Sequence, residues 1–223
     1  MRRSSPAALQ VPVTPSPPSR IAGALTLTGM SLGFGVVQLD ITIVNTALES
    51  IRIALAGDVA ALQWVVNAYT IAFAAFILTA GALGDRFGAR RVFMAGFALF
   101  TAASVCCGLA PDAASLIALR GLQGVAAALL VPNSLALLNH AYPDPKQRGR
   151  AVGIWAAGAS LTLTAGPFVG GTLIALAGWR AIFFVNLPIG LIGLWLARAY
   201  ARETPVNAGR AVDLPGQVAA VVA

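Results

Sequence analysis

The stretch IAGALTLTGMSLGFGVVQLDITIVNTAL, residues 21–48, holds a single ionisable side chain, Asp40. At 1.5 Å per residue it makes roughly 42 Å of helix, enough to cross a hydrocarbon core of about 30 Å. Five more apolar stretches follow it, at 59–83, 92–110, 113–138, 151–177 and 181–199, and another begins at 214–223. A segment in lipid must satisfy its own backbone, so each stretch is predicted as a helix. The expected fold class is an all-α membrane protein of six transmembrane helices with the start of a seventh span. About ten residues do not complete a span, so the chain is expected to be a fragment, truncated inside that seventh segment.

Composition agrees with lipid as the solvent. Of 223 residues 58% are hydrophobic and 10% charged, against about a quarter charged in soluble domains. The net charge of +7 does not form a basic amphipathic face, because the arginines cluster between apolar stretches; a nucleic-acid partner is not expected. Residues 1–20 carry Arg2 and Arg3 but also Pro6, Pro12, Pro15, Pro17 and Pro18 and no apolar core, which reads as a disordered cytoplasmic tail and not a signal peptide. The expected organisation is therefore a tail (1–20), a six-helix bundle (21–199), a cytoplasmic linker (200–213) and a truncated span (214–223).

Basic residues near helix ends stay on the cytoplasmic side. With the N-terminus inside, Arg86, Arg90, Arg91, Lys146, Arg148, Arg150, Arg198 and Arg202 fall inside, and only Arg52 and Arg180 fall outside. The arrangement of two groups of three helices is consistent with an inverted repeat.

Asp40 and Arg120 are the two ionisable residues within the spans, and such residues are functional candidates by default. Asp40 lies nine residues before Glu49, and Arg120 eight residues after Asp112, so the two sit roughly 12 to 13 Å below the outer ends of their helices. Charge balance pairs them, directly or through water. The alternative has Arg120 snorkelling or held by helix carbonyls while Asp40 stays protonated. A carboxylate beside a guanidinium exchanges protons and gives one negative site for which proton and cation compete, the minimum machinery of antiport. On the same helix Ser31, Gly35, Gln38, Thr42 and Asn45 form a polar stripe almost opposite Asp40. One of these faces lines a cavity and the other packs, and the stripe reads equally as interhelical hydrogen bonding.

Cys106 and Cys107 point about 100° apart on a helix and read as small packing residues, neither disulfide nor metal ligands. Trp64, Tyr69 and Trp179 are expected at the membrane interfaces, with the transport path as the alternative. His140 is expected in a loop or headgroup region. The sequence has no metal-ligand cluster, no nucleotide loop and no nucleophile with a matching base, so neither ATP-driven transport nor an enzyme is expected.

GALGDRFGARR, residues 81–91, joins the second and third spans and resembles the signature loop of the major facilitator superfamily. In that family the loop latches the two halves of the transporter. The resemblance implies this role for Gly81, Asp85, Arg86, Gly88, Arg90 and Arg91, with Ala89 standing where a basic residue is common. LIALRGLQGVAAA, residues 116–128, resembles the fourth-helix motif whose arginine serves proton transfer, and Arg120, Gln123 and Gly124 match it. GASLTLTAGPFVGG, residues 158–171, resembles the fifth-helix antiporter signature. Gly166 and Pro167 are expected to kink or loosen that helix, and Gly166, Pro167, Gly170 and Gly171 to act as its hinge or gate. LDITIVNTALESI (39–51), QWVVNAYT (63–70) and WRAIFFVNLPIG (179–190) resemble the fourteen-helix drug:proton antiporter branch, the EmrB/QacA type. Glu49 departs from that pattern, which commonly has proline.

The family resemblance implies the N-terminal bundle of a multidrug exporter in the bacterial inner (plasma) membrane. It would work by alternating access with the proton gradient as energy source and no cofactor. The coupling pair would be Asp40 and Arg120, and the substrate path would use Gln38, Thr42, Asn45 and Gln123. The implied partners are amphiphilic or cationic small molecules, protons, the bilayer and a missing C-terminal half. A metabolite importer of the same superfamily and a non-transporting membrane fragment are the rival readings.

Overall fold

Short polar signals start and stop long apolar helices. In the computed structural model, which describes residues 20–206, the helices are α1 (Arg20–Leu55), α2 (Val59–Phe87), α3 (Ala89–Gly108), α4 (Ala113–Ala141), α5 (Pro145–Ala177), α6 (Ala181–Phe184) and α7 (Asn186–Tyr200). The side chains of Asp58, Asp112 and Asp144 cap α2, α4 and α5 by accepting from the backbone N–H of Ala61, Ser115 and Gln147. Each satisfies a donor that a helix start otherwise leaves orphaned. Gly88 separates α2 from α3 at φ 96°, a left-handed conformation that a side chain resists.

Six segments are long and apolar enough to cross a membrane, with α6 and α7 together making the sixth, Ala181–Tyr200. The described residues contain no strand. The fold is the all-helical membrane bundle expected; the predicted tail and the seventh apolar segment lie outside the described residues.

Several boundaries differ from the sequence reading: α2 runs on to Phe87 and α4 to Ala141, α3 begins at Ala89 and ends at Gly108, and α5 begins at Pro145. α1 runs on to Leu55, because Arg52 and Glu49, three residues apart, hydrogen-bond at 2.9 and 2.6 Å and carry the helix beyond its apolar part. The sixth span is interrupted at Val185. Pro188 has no N–H to donate to the carbonyl of Phe184 four residues earlier, so the helix loses a rung there. α4 and α5 continue unbroken through Pro132 and Pro167.

α4 packs chiefly along α2 and α3, while α1 packs along α5 and α7. Exchanging each span of the first three with its counterpart in the second three maps one set of neighbours onto the other, the pattern of an internal repeat. α1 and α3 are the most buried spans, and α2 and α5 the most exposed. The interior divides into two apolar clusters. One is built on Met30, Phe93, Phe97 and Phe100, the other on Ile43, Ile51, Leu116 and Phe183.

Candidate functional site: a buried ionic network

Arg120 and Gln123 sit three residues apart on α4, so both project from one face. That face meets α1 where Asp40 is wholly buried. Arg120 Nη1 donates to Asp40 Oδ2 at 2.5 Å and to Gln123 Oε1 at 2.8 Å, and Gln123 Nε2 donates to Asp40 Oδ1 at 2.9 Å. Arg120 Nε also donates to the Val65 carbonyl of α2 at 3.3 Å, and the guanidinium lies 4.2 Å over the Tyr69 ring. The Cys107 thiol donates to Gln123 Oε1 at 3.6 Å. Arg120 thus has both the expected carboxylate and a helix carbonyl.

Taking two charges out of water costs several kcal/mol per ion, which close pairing and full hydrogen bonding must offset. Here both carboxylate oxygens accept hydrogen bonds, and the guanidinium has a carboxylate, an amide oxygen, a carbonyl and an aromatic face. The neighbours of Asp40 present donors to it, the environment that suits an ionised, acceptor-only carboxylate.

The site includes residues that the sequence reading did not single out. Asn186, at the start of α7 and 0% exposed, donates from Nδ2 to Asp40 Oδ1 at 3.3 Å and to Ser104 Oγ at 2.9 Å; the Ser104 hydroxyl in turn donates to the Phe183 carbonyl at 2.8 Å. The legible signal was a polar amide inside an apolar span. Tyr69 is buried under Arg120. Trp179 is buried as well, with Arg180 4.3 Å over its ring, whereas Trp64 is 54% exposed. His140 is exposed at the end of α4. Cys107 is buried and Cys106 exposed, unbonded to each other.

The polar stripe of α1 faces α5. Gly158 lies beside Ser31, Thr162 against Gly35, and Gly166 so close to Thr42 that an added Cβ would overlap its side chain. Thr42 Oγ1 donates to its own helix, at the carbonyls of Leu39 and Gln38. Gln38 is half-buried and Asn45 exposed. Asp40 therefore occupies the packed face of α1 and the stripe the more open one. Gln123, expected along the path, is fully buried as a member of the ionic network. Of the fifth-helix glycines, Gly166 and Gly170 abut Thr42 and Ile43 of α1, whereas Gly171 and Pro167 are exposed.

At the other end of the bundle, Arg90 Nε and Nη2 donate to the carbonyls of Ala197 and Arg198, the last turn of α7. Reciprocally, Glu203 Oε1 accepts from the Arg90 backbone N–H at 2.8 Å, and Thr204 Oγ1 from that of Ala89 at 3.0 Å. A cation thus meets a helix C-terminus and an anion a helix N-terminus, each the favourable sign for the backbone dipole. Arg91 Nε lies 3.8 Å from Glu203 Oε2. Ala89 is 2% exposed beneath this clasp. Arg86 lies over the Phe87 ring, Gly84 touches Asn133, and Gly81 is near Pro132. The residues 201–206, expected as linker, pack partly against α3 through Glu203 and Thr204.

The family model described as Major Facilitator Superfamily matches residues 30–223. The chain is 45% identical over 199 residues to the multidrug resistance protein Stp of Mycobacterium tuberculosis, covering 89% of this chain and 37% of that protein. It is 38% identical over 203 residues to the methylenomycin A resistance protein of Streptomyces coelicolor, covering 91% of this chain and 42% of that protein. It is 41% identical over 169 residues to the tetracenomycin C resistance and export protein of Streptomyces glaucescens, covering 76% and 31%. The chain thus spans less than half the length of these relatives. Among solved structures, a bacterial homolog of the human lysosomal transporter Spinster, inward-facing, superposes with a TM-score of 0.72 at 18% identity, covering 88% of this chain and 47% of that one, which bears on the fold alone. The chain is a multi-pass membrane protein that belongs to the major facilitator superfamily, a family of transporters and not of enzymes.

Proposed function

We propose that this chain is the N-terminal half of a proton-driven exporter of small amphiphilic or cationic drugs, with Asp40 and Arg120 as its coupling pair. The observation that carries the reading is the wholly buried ion pair joining α1 to α4, the one ion pair among the described residues with both partners buried. The drug-resistance names of relatives over 76 to 91% of this chain support the export of drugs.

In this mechanism a proton entering from water neutralises Asp40 and releases its hold on Arg120. Arg120 keeps its charge and its contacts with Val65, Gln123 and Tyr69. A cationic substrate acts in the opposite sense, because it competes with the proton for the one negative site. Alternation then requires a second half against which this bundle rocks. The exposed apolar faces of α2 and α5, with Ile71, Leu78, Leu161 and Phe168, offer the surface for it. Gly166 and Gly170 let α5 approach α1 closely enough to act as the gate. The excess of arginine and lysine in one set of loops favours an N-terminus on the cytoplasmic side of the plasma membrane.

The test is efflux from proteoliposomes by the full-length transporter under an imposed pH gradient. Asp40→Asn is expected to abolish proton-coupled efflux while leaving membrane insertion intact. Unchanged efflux removes Asp40 from the mechanism.

A further inference from the structure

Asn186 combines two properties that the ion pair alone does not require. Its Nδ2 faces both Asp40 Oδ1 and Ser104 Oγ, while its Oδ1, equally buried, has no hydrogen-bond partner. A buried amide oxygen without a donor is costly, so its retention in a core position calls for a reason. The carboxylate of Asp40 supplies one. Ionised, it only accepts, and Gln123, Arg120 and Asn186 all donate to it. Protonated, it becomes a donor and needs an acceptor. Of the two amide oxygens in the network, the Oε1 of Gln123 is already engaged by Arg120 and Cys107, which leaves that of Asn186 free.

We propose that Asn186 is a proton-responsive positioning residue, an amide that donates to Asp40 when the carboxylate is ionised and turns over to accept from it when it is protonated. This rests on Asp40 being the proton site. The proton comes from water and forms an O–H bond at Asp40 Oδ1; no other covalent bond changes. The amide rotates by half a turn, so that Oδ1 replaces Nδ2 toward Asp40 and Ser104. The Ser104 hydroxyl, which now donates to the Phe183 carbonyl, then turns to donate to Asn186 Oδ1. Phe183 thereby loses its side-chain donor two residues before the interruption at Val185. The protonation state of α1 is read out at the weakest point of the sixth span.

The groups that face Asp40 are few enough for the switch to be specific. Arg120 comes from α4, Tyr69 from α2 and Cys107 from α3, the last two close enough to interact with it electrostatically. α5 meets α1 through Gly166 and Gly170, and α6 and α7 bring Phe183 and Asn186; none of these four titrates.

The experiment is infrared difference spectroscopy, acid minus alkaline, on the full chain in lipid vesicles with asparagine labelled by 13C at the side-chain carbonyl. Protonation is expected to bring a carboxylic-acid band, lost in Asp40→Ser, together with a downward shift of one labelled amide band as that carbonyl gains a donor. The shifting band is expected to vanish in Asn186→Ser, with Asn186→Leu, closer in volume, as the second variant should the first not fold. A carboxylic-acid band from Asp40 with every asparagine band unmoved overturns the amide switch and leaves the coupling pair standing. Absence of any Asp40 carboxylic-acid band overturns the coupling reading itself, and the switch with it.

Discussion

Arg120 and Asp40, eighty residues apart in sequence, hydrogen-bond at 2.5 Å with both side chains out of reach of solvent. In so dry a setting the stability of each charge depends on the other. Removing one partner of a buried pair leaves an uncompensated charge and costs about 3–5 kcal/mol, while replacing both by apolar groups is often neutral.

Arg120→Leu is accordingly expected to lower the unfolding temperature sharply, and Asp40→Asn combined with Arg120→Leu to recover most of the loss without restoring efflux. Thermal unfolding followed by thiol alkylation reads this directly. Cys107 is buried and reports opening, and Cys106→Ser removes the exposed thiol from the background. A double variant no more stable than Arg120→Leu alone argues against the pair as the source of the cost.

Tyr69 separates ring from hydroxyl. Its ring lies under Arg120, but its buried Oη has no hydrogen-bond partner. Tyr69→Phe is expected to keep stability and efflux near wild type, because the aromatic face remains. Tyr69→Leu loses the contact with the cation, worth up to about 2 kcal/mol when desolvated, and is expected to lower both. Equal losses in the two variants, measured by the same unfolding assay, assign the role to the hydroxyl.

Within one short string the two glycines Gly166 and Gly171 are expected to respond differently. A Cβ at Gly166 overlaps Thr42 of α1, so Gly166→Ala forces α1 and α5 apart at about 1–3 kcal/mol. A Cβ at Gly171 meets nothing within 4 Å, and Gly171→Ala is expected to stay within about 0.5 kcal/mol of wild type. Paired unfolding measurements check the contrast.

The reciprocal clasp between α3 and α7 predicts coupled losses. Arg90→Ala removes the donors to Ala197 and Arg198, and Glu203→Ala removes the acceptor for the Arg90 backbone. Each is expected to cost about 1 kcal/mol. Hydrogen exchange is expected to rise at the first turn of α3 in Glu203→Ala and at residues 201–206 in Arg90→Ala. Exchange unchanged at both ends shows that the clasp does not hold them.

Asp112 gives the start of α4 a pH dependence. The backbone N–H and hydroxyl of Ser115 hold its carboxyl below the usual aspartate range. A depressed folded value means that the cap contributes stability above the ordinary pKa and loses it as the pH falls through the depressed one. Acidification below the ordinary range is expected to raise hydrogen exchange in the first turn of α4, and Asp112→Asn to remove that acid-dependent component.

Most of the architecture was legible in residue order. Hydrocarbon thickness and backbone satisfaction leave a 28-residue apolar stretch such as 21–48 little choice but a helix, and the aspartates before α2, α4 and α5 mark starts through purely local bonds. The pairing of Asp40 with Arg120 was legible too, since two lone charges at similar depth in lipid have few alternatives. What the residue order left open was orientation about each helix axis. Whether Asp40 or the Thr42 stripe faces the interior depends on which neighbour comes close, and that is set by glycines meeting particular side chains across α1 and α5. The partners of Asn186, Tyr69 and Glu203 stayed open for the same reason. Each residue acts on a partner more than fifty residues away in the chain, through contacts that exist once the helices have packed and that no local pattern encodes.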